Sequence, residues 1–249
     1  LDARVAKGQW KLRIDDLDGP RVVKGSTDSI CRILEAFGLT WDGAPFLQSS
    51  RFERYQSVLE YLMQQGRTYH CRCSRKDWQN HTVYPGTCRS SGHDEGRAIR
   101  FKTTLNTFQW QDLEQGRIEV NVGSDIGDFM LKNAHGIFSY QLASAVDDVD
   151  MGVTDVVRGA DLMAVTAAHL MIQEAIGGDF IRYRHLPLAL SNAGEKLSKA
   201  TDAPAVEAKQ ASEVLQRAFL HLGLGTVDLD VPRRMLDVAI AKWPHRKTQ

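Results

Sequence analysis

The chain has 249 residues, 43% of them hydrophobic and 25% charged, with 31 basic and 31 acidic side chains balancing to a formal net charge of zero. That size suits one large domain, or a domain with a small appendage, around a substantial core. The charge balance excludes adhesion to nucleic acid or membrane by net charge alone and leaves only a local basic face for such a role. No apolar run reaches the ~20 residues of a membrane span and no secretory leader pattern is visible, so a cytoplasmic location is expected.

The opening "LDARVAKGQW" lacks an initiator Met and reads as the tail of a helix; an N-terminal segment is expected upstream of it. "WKLRI" (10–14) alternates like a strand and runs into the acidic turn "DDLDGPR", which sets Asp15, Asp16 and Asp18 at a strand end with Arg21 after them. Acids there suit a substrate ammonium, and equally a solvated turn. "STDSICRILEAFG" (26–38) and "SRFERYQSVLEYLMQQG" (50–66) carry helical spacing and end in Gly.

From 67 to 124 the texture changes and reads as an insertion. "RTYHCRCS" is extended, "YPGTCRSSGHDEG" is loop-like, and "RAIRFKT" and "RIEVNVG" alternate like strands of a small sheet. Three of the four cysteines, Cys71, Cys73 and Cys88, fall in this region. In a chain without secretion signals such a cluster points to a metal rather than to disulfides. Zinc favours deprotonated soft ligands in a tetrahedron, and a metal clip would order an insertion too small to build much core. Chemistry alone favours His81 or His93 as fourth ligand, with Tyr84 the unusual option; three reduced thiols without metal are the plain alternative. Cys31 sits on an apolar helix stripe and reads as a core residue.

"GIFSYQLASAVDDVDMG" (136–152) fits strand or helix. "TDVVRGADL" reads as a strand breaking at Gly159 into the helix "LMAVTAAHLMIQEAIGG" (162–178), and "IRYRHLPLAL" (181–190) as a strand feeding the polar loop "SNAGEKLSK". Arg158 stands at a strand end, where open α/β sheets bind ligands and where a guanidinium can grip a carboxylate or phosphate through two parallel hydrogen bonds; a surface turn is the alternative. Lys196 and Lys199, on a glycine-containing loop, suit charge that develops during phosphoryl or nucleotidyl transfer, though any solvated loop can carry two lysines. Beyond 205, "VEAKQASEVLQRAFLHLG" and "PRRMLDVAIAKW" are amphipathic helices. Alternating strands and helices give an α/β class.

Taken together these segments resemble a known family. "HLPLALSNAGEKLSK" is similar to the Lys-Met-Ser-Lys-Ser-type loop of class I aminoacyl-tRNA synthetases, "LRIDDLDGPR" to the "RIEDID-PR" segment of glutamyl-tRNA synthetases and their short paralogues, and "FSYQLASAVDDVDMGVTDVVRGADL" to the same enzymes over a long run. The resemblance covers nearly the whole chain to about residue 204. "RGADL" in place of the usual "RGEDH", the Cys-x-Cys…Tyr-x-x-x-Cys pattern, and a tail of only about 45 residues after the KLSK loop resemble the glutamyl-queuosine tRNA(Asp) synthetases.

That resemblance implies a Rossmann-like parallel sheet with an inserted zinc-containing subdomain and a small C-terminal helical region. Residues 1–66 would form the first half of the catalytic domain and 67–124 the zinc insertion. The second half with its KLSK loop would span 125–204, and 205–249 would be helical, with no anticodon-binding domain. It implies a ligase, acting as a monomer, that activates L-glutamate with ATP and Mg²⁺ and transfers it to queuosine in tRNA(Asp). Glutamate would meet Asp15, Tyr140 and Arg158; ATP would meet Lys196, Ser198 and Lys199, the two lysines being catalytic. Zn²⁺ would be held by Cys71, Cys73, Tyr84 and Cys88. Asp15 replaces a family Glu and is one methylene shorter. The family's Ala-Pro-Ser-x-(Ser/Thr)-Gly and His-x-Gly-like signatures, which supply further glutamate contacts and much of the ATP site, belong to the segment expected upstream. Two competing readings are a glutamyl-tRNA synthetase fragment charging the 3′ end, and a non-catalytic zinc-containing RNA-binding module with Arg182, Arg184, Arg233 and Arg234 facing RNA.

Overall fold

A computed structural model describes residues 1–19, 22–104, 106–191, 194–197 and 204–245. In chain order the elements are α1 (Asp2–Val5), β1 (Arg13–Ile14), α2 (Ser26–Ala36), β2 (Phe46–Leu47), α3 (Phe52–Gln64), β3 (Thr68–Cys71), β4 (Ala98–Phe101), β5 (Thr107–Asp112), β6 (Gly116–Asn121) and β7 (Met130–Lys132). They continue with α4 (Tyr140–Asp150), β8 (Asp155–Gly159), α5 (Met163–Ala175), β9 (Arg182–Leu186), α6 (Ala211–His221) and α7 (Pro232–Lys242). The chain divides into two compact units, Leu1–Leu47 with Leu186–Gln249, and Gln48–His185. No helix among the described residues is long and apolar enough to cross a membrane.

In the first unit β1 and β2 pair in parallel, Arg13 opposite Phe46. Its core is helical. Leu215 and Phe219 of α6, Met235, Leu236 and Ala239 of α7, and Phe37 just after α2 are buried together with Trp243. The spacings of three and four residues put those side chains on one stripe of each helix. Pro232 opens α7 at a position where its missing N–H costs nothing. The Trp243 indole donates to Asp2 at 2.7 Å, tying α1 to this core.

The second unit holds two sheets. In one, β4 lies between β3 and β7, antiparallel to both. The other is mixed, in the order β6-β5-β9-β8, with β5 antiparallel to β6 and parallel to β9. Helices α3, α4 and α5 accompany them. Segment 136–152, open between strand and helix on periodicity, is helical over Tyr140–Asp150, where Ser139 caps the helix, its hydroxyl accepting from the Leu142 N–H at 3.3 Å. Tyr55, Val58, Leu59 and Leu62 form the buried stripe of α3. Asp147, fully buried on α4, accepts from Gln48 Nε2 and Tyr55 Oη at 2.8 Å each and from Arg51 Nε at 3.4 Å. A buried carboxylate survives only with such partners.

The strand expected across 10–14 is shorter, Arg13–Ile14, and that expected across 181–190 closes at Leu186, ahead of Pro187, which has no N–H for a ladder. Gly159 ends β8 as expected, with one 3₁₀ turn, Ala160–Leu162, before α5.

Candidate active site

Arg158 stands near the end of β8 and is half-buried. Its guanidinium has five N–H groups, and each faces an acceptor. Nε donates to His185 Nε2 at 3.2 Å. Nη2 donates to Thr166 Oγ1 at 2.8 Å and to the Leu162 carbonyl at 3.2 Å. Nη1 lies 3.2 Å from His169 Nδ1 and donates to Tyr140 Oη at 3.4 Å, the longest of these contacts. The Tyr183 ring lies 5.0 Å from the guanidinium carbon, within reach of a cation–π attraction. Tyr140 and Arg158, two of the residues expected at a glutamate site, are therefore neighbours.

The floor beneath them is built by strand pairing. Asp112 ends β5 opposite Tyr183 of β9, and the Leu113 N–H bonds the Tyr183 carbonyl at 2.8 Å. This sets buried Asp112 against buried His185, with Oδ2 2.5 Å from Nδ1. Asp112 Oδ1 accepts the backbone N–H groups of Glu114, Gln115 and His185 at 3.0, 3.0 and 3.1 Å. Burial pushes the Asp112 carboxyl up, and these hydrogen bonds outweigh it, leaving it below its ordinary value. Burial also pushes the His185 imidazole down, against the pull of Asp112. His185 is thus neutral beside an ionised carboxylate.

The sequence reading did not single out Asp112, Thr166, His169 or His185. A signal existed for two of them. "TFQWQD" alternates so that Trp110 and Asp112 share the buried face, and His185 lies two residues after Tyr183 in a strand whose inward positions are otherwise apolar. A carboxylate and an imidazole on inward strand positions need partners.

Asp15 and Lys196 belong to the other unit. Asp15 is exposed and accepts from its neighbour Arg13 at 2.9 Å. Lys196 is exposed on a tight reversal in which the Ser191 N–H bonds the Glu195 carbonyl at 2.7 Å and the Leu197 N–H the Ala189 carbonyl at 2.9 Å. Gly194 turns this reversal at φ +79°, a conformation rarely open to other residues. Ser198 and Lys199 lie outside the described residues.

The second cluster is the cysteine set. The sulfurs of Cys71, Cys73 and Cys88 lie within 4.8 Å of one another, and neither His81 nor His93 joins them. Tyr84 Oη is 3.4 Å from Cys71 Sγ and 3.5 Å from Cys73 Sγ, and accepts the Cys88 N–H at 2.9 Å. Cys73 and Cys88 sulfurs are 3.4 Å apart, and all the cysteines are free of disulfides. Ligands about 2.3 Å from a tetrahedral zinc stand less than 4 Å apart; the separations of 3.4–3.5 Å meet that, and the wider sulfur spacing, up to 4.8 Å, would draw in around such an ion. Burial raises the Cys88 thiol, but hydrogen bonds from Tyr84 and neighbouring groups bring it down to about 6, leaving it ready as a thiolate. The Arg100 guanidinium covers the Tyr84 ring at 3.6 Å. Gly96 permits the close approach: a Cβ there would stand 2.7–2.9 Å from the Cys71 backbone.

The cations considered for an RNA face are largely engaged. Arg182 pairs with Asp155 at 2.8 Å, Arg184 with Glu114 at 3.0 Å and Arg234 with Asp230 at 3.4 Å.

Comparison with known proteins places this arrangement. The family description "tRNA synthetases class I (E and Q), catalytic domain" matches residues 1–222. A glutamyl-Q tRNA(Asp) synthetase of Pseudomonas putida is 41% identical over 248 residues, covering 98% of this chain and 83% of its own. The protein of that name from Chromobacterium violaceum is 43% identical, covering 98% and 85%. A crystal structure of glutamate-tRNA synthetase from Elizabethkingia anophelis aligns with a TM-score of 0.70 at 28% identity, over 80% of this chain and 47% of that one. A glutamate tRNA ligase from Elizabethkingia meningosepticum, in complex with its amino acid, aligns at 0.78 over 96% of this chain and 59% of its own; at 23% identity it speaks to the fold. The mixed sheet and its helices are those of the class I α/β fold, and the chain belongs to the class I tRNA synthetases of the E and Q group and, within it, to the glutamyl-Q tRNA(Asp) synthetases.

Proposed function

We propose that the protein activates L-glutamate with ATP and transfers the glutamyl group to the queuosine base of tRNA(Asp), acting as a monomer in the cytoplasm. The observation that carries this reading is identity above 40% across 98% of the chain with relatives named for that transfer. The Arg158–Tyr140 pair fits it, because a substrate carboxylate can replace the two neutral acceptors on Nη1, Tyr140 Oη and His169 Nδ1, with a charge-assisted bond. Asp15 would meet the ammonium, across a water if its shorter side chain falls short.

In the first step a carboxylate oxygen of glutamate attacks the α-phosphorus of ATP. The new O–P bond forms as the bond to pyrophosphate breaks. Magnesium bound to the nucleotide would supply further positive charge there. Lys196 and Lys199 add positive charge where the phosphate oxygens and the leaving group become more negative, and Ser198 contributes to the ATP contacts. A hydroxyl of the queuosine cyclopentenediol then attacks the mixed anhydride, releasing AMP. Positioning, not covalent chemistry by the protein, supplies most of the acceleration.

The domain reading goes with this function. It comprises a Rossmann-like parallel sheet split between 1–66 and 125–204, a zinc-containing insertion at 67–124, and a helical region at 205–249. Cys71, Cys73, Tyr84 and Cys88 would hold Zn²⁺, which clips β3 to the loop carrying Tyr84 and Cys88. Ion pairing at Arg182, Arg184 and Arg234, together with zero net charge, weighs against a module that only binds RNA.

The test is ATP–pyrophosphate exchange by the full-length protein. Exchange dependent on glutamate, and absent with aspartate or glutamine, supports the reading. No exchange with any amino acid overturns it.

A further inference from the structure

We infer that Asp112 and His185 are positioning residues for Arg158: they fix the tautomer that holds the inner edge of its guanidinium and thereby dictate that a substrate carboxylate arrives on Nη1. The carboxylate part rests on the function proposed above; the tautomer does not.

An ionised Asp only accepts and an Arg only donates. His185 stands between one of each, with Asp112 Oδ2 2.5 Å from Nδ1 and Arg158 Nε 3.2 Å from Nε2. Nδ1 must therefore carry the proton and Nε2 the lone pair. The other neutral tautomer sets N–H against N–H at the arginine and lone pair against lone pair at the aspartate. A doubly protonated ring would set a cation against the guanidinium. Asp112 cannot turn away, because its other oxygen accepts three backbone N–H groups.

With that tautomer, His185 Nε2 and Thr166 Oγ1 lie 3.0 Å apart, the distance at which the threonine hydroxyl donates to the imidazole lone pair, and both accept from Arg158. They occupy the Nε and Nη2 corner of Arg158 at 3.2 and 2.8 Å. The corner that would otherwise take a substrate carboxylate through two parallel bonds is thus filled from within. Tyr183 lies alongside the guanidinium and His185 stacks on Tyr183 with ring centroids 5.9 Å apart at 6°, which resists rotation out of plane. What is left is Nη1, whose partners are His169 Nδ1 at 3.2 Å and Tyr140 Oη at 3.4 Å, the latter the longest contact the arginine makes.

Histidine-¹⁵N-labelled full-length protein tests this by two-bond ¹H–¹⁵N NMR, with the His185 signals identified by their loss in His185→Gln. The expected wild-type pattern is a protonated Nδ1 and an unprotonated Nε2. Asp112→Asn offers an amide N–H toward Nδ1, because the three backbone donors keep its carbonyl oxygen in place. The expected result is a switch to protonated Nε2, with KM for glutamate at least tenfold higher and KM for ATP unchanged. A wild-type Nε2 that carries the proton overturns the inference, and this readout holds even where Asp112→Asn does not fold. A folded Asp112→Asn with unchanged KM for glutamate also overturns it. Wild-type protein with no glutamate-dependent exchange but the expected tautomer overturns the functional reading and the carboxylate assignment, leaving the tautomer standing.

Discussion

Arg158 has its five N–H groups matched by five acceptors, so exchanging it for lysine is not conservative. A lysine has three donors and no planar fork; it would leave His185 Nε2 or Thr166 Oγ1 without its donor. Charge-assisted bonds contribute about 1.5–3 kcal/mol each, so Arg158→Lys should lower kcat/KM for glutamate by at least tenfold, to about a hundredfold. Kinetics within twofold of wild type would remove Arg158 from substrate recognition. Lys199→Ala should slow adenylate formation by orders of magnitude; unchanged pyrophosphate exchange in that variant would take Lys199 out of the mechanism. Arg158 was legible in the sequence because a strand end followed by Gly is a recognisable place for a ligand contact. Asp112 and His185 were not, since they lie 73 residues apart and their meeting depends on a parallel register between β5 and β9 that no local pattern encodes.

At the scale of elements, the β3-β4-β7 sheet shows what a small unit needs besides its strands. Asp128, buried between β6 and β7, accepts from Tyr69 Oη, Arg89 Nη1 and both the N–H and the hydroxyl of Thr103 at 2.7–2.9 Å. It binds the strand before Cys71, the turn after Cys88 and the strand end after β4 into one network beside the thiols. Asp128→Ala leaves the partly exposed Arg89 guanidinium and the buried Thr103 donors unmatched, a loss of about 1–3 kcal/mol, read as a lower denaturation midpoint. If the cysteine set holds zinc, a chelator should release about one equivalent and lower Tm. Gly96→Ala should reduce zinc retention by pushing the Cys71 backbone away. Full retention of metal and Tm in Gly96→Ala would argue that the thiols are not held by that close approach. The cluster itself was legible, because three cysteines at metal spacing are a strong local signal, whereas the choice of Tyr84 over His81 or His93 came only from resemblance. The helices α2, α3, α6 and α7 were legible from periodicity and Gly stops. Strand β5 was passed over because its inward positions, Trp110 and Asp112, mix an aromatic with a charge.

For the molecule as a whole, acid is expected to destabilise in two stages. His185 is held neutral in the fold, while the unfolded chain takes a proton near the ordinary value of 6.5. Below that pH the unfolded state binds more protons than the native one, and stability falls. Asp112, Asp150 and Asp155 hold their folded values below the ordinary 3.8, Asp150 mainly through Arg54, so their contribution is present above that pH and is lost as they protonate in the fold. Tm should decline from pH 7 to 5 and again below 4, with His185→Gln flattening the first decline; a Tm independent of pH from 7 to 5 would contradict the neutral imidazole. The most direct test of the account is where the glutamate goes. Full-length protein, ATP, radiolabelled glutamate and tRNA(Asp) with or without queuosine should give label only on the queuosine-containing tRNA, in the anticodon fragment after nuclease cleavage. Label at the 3′ end, or equal labelling of tRNA lacking queuosine, would contradict it.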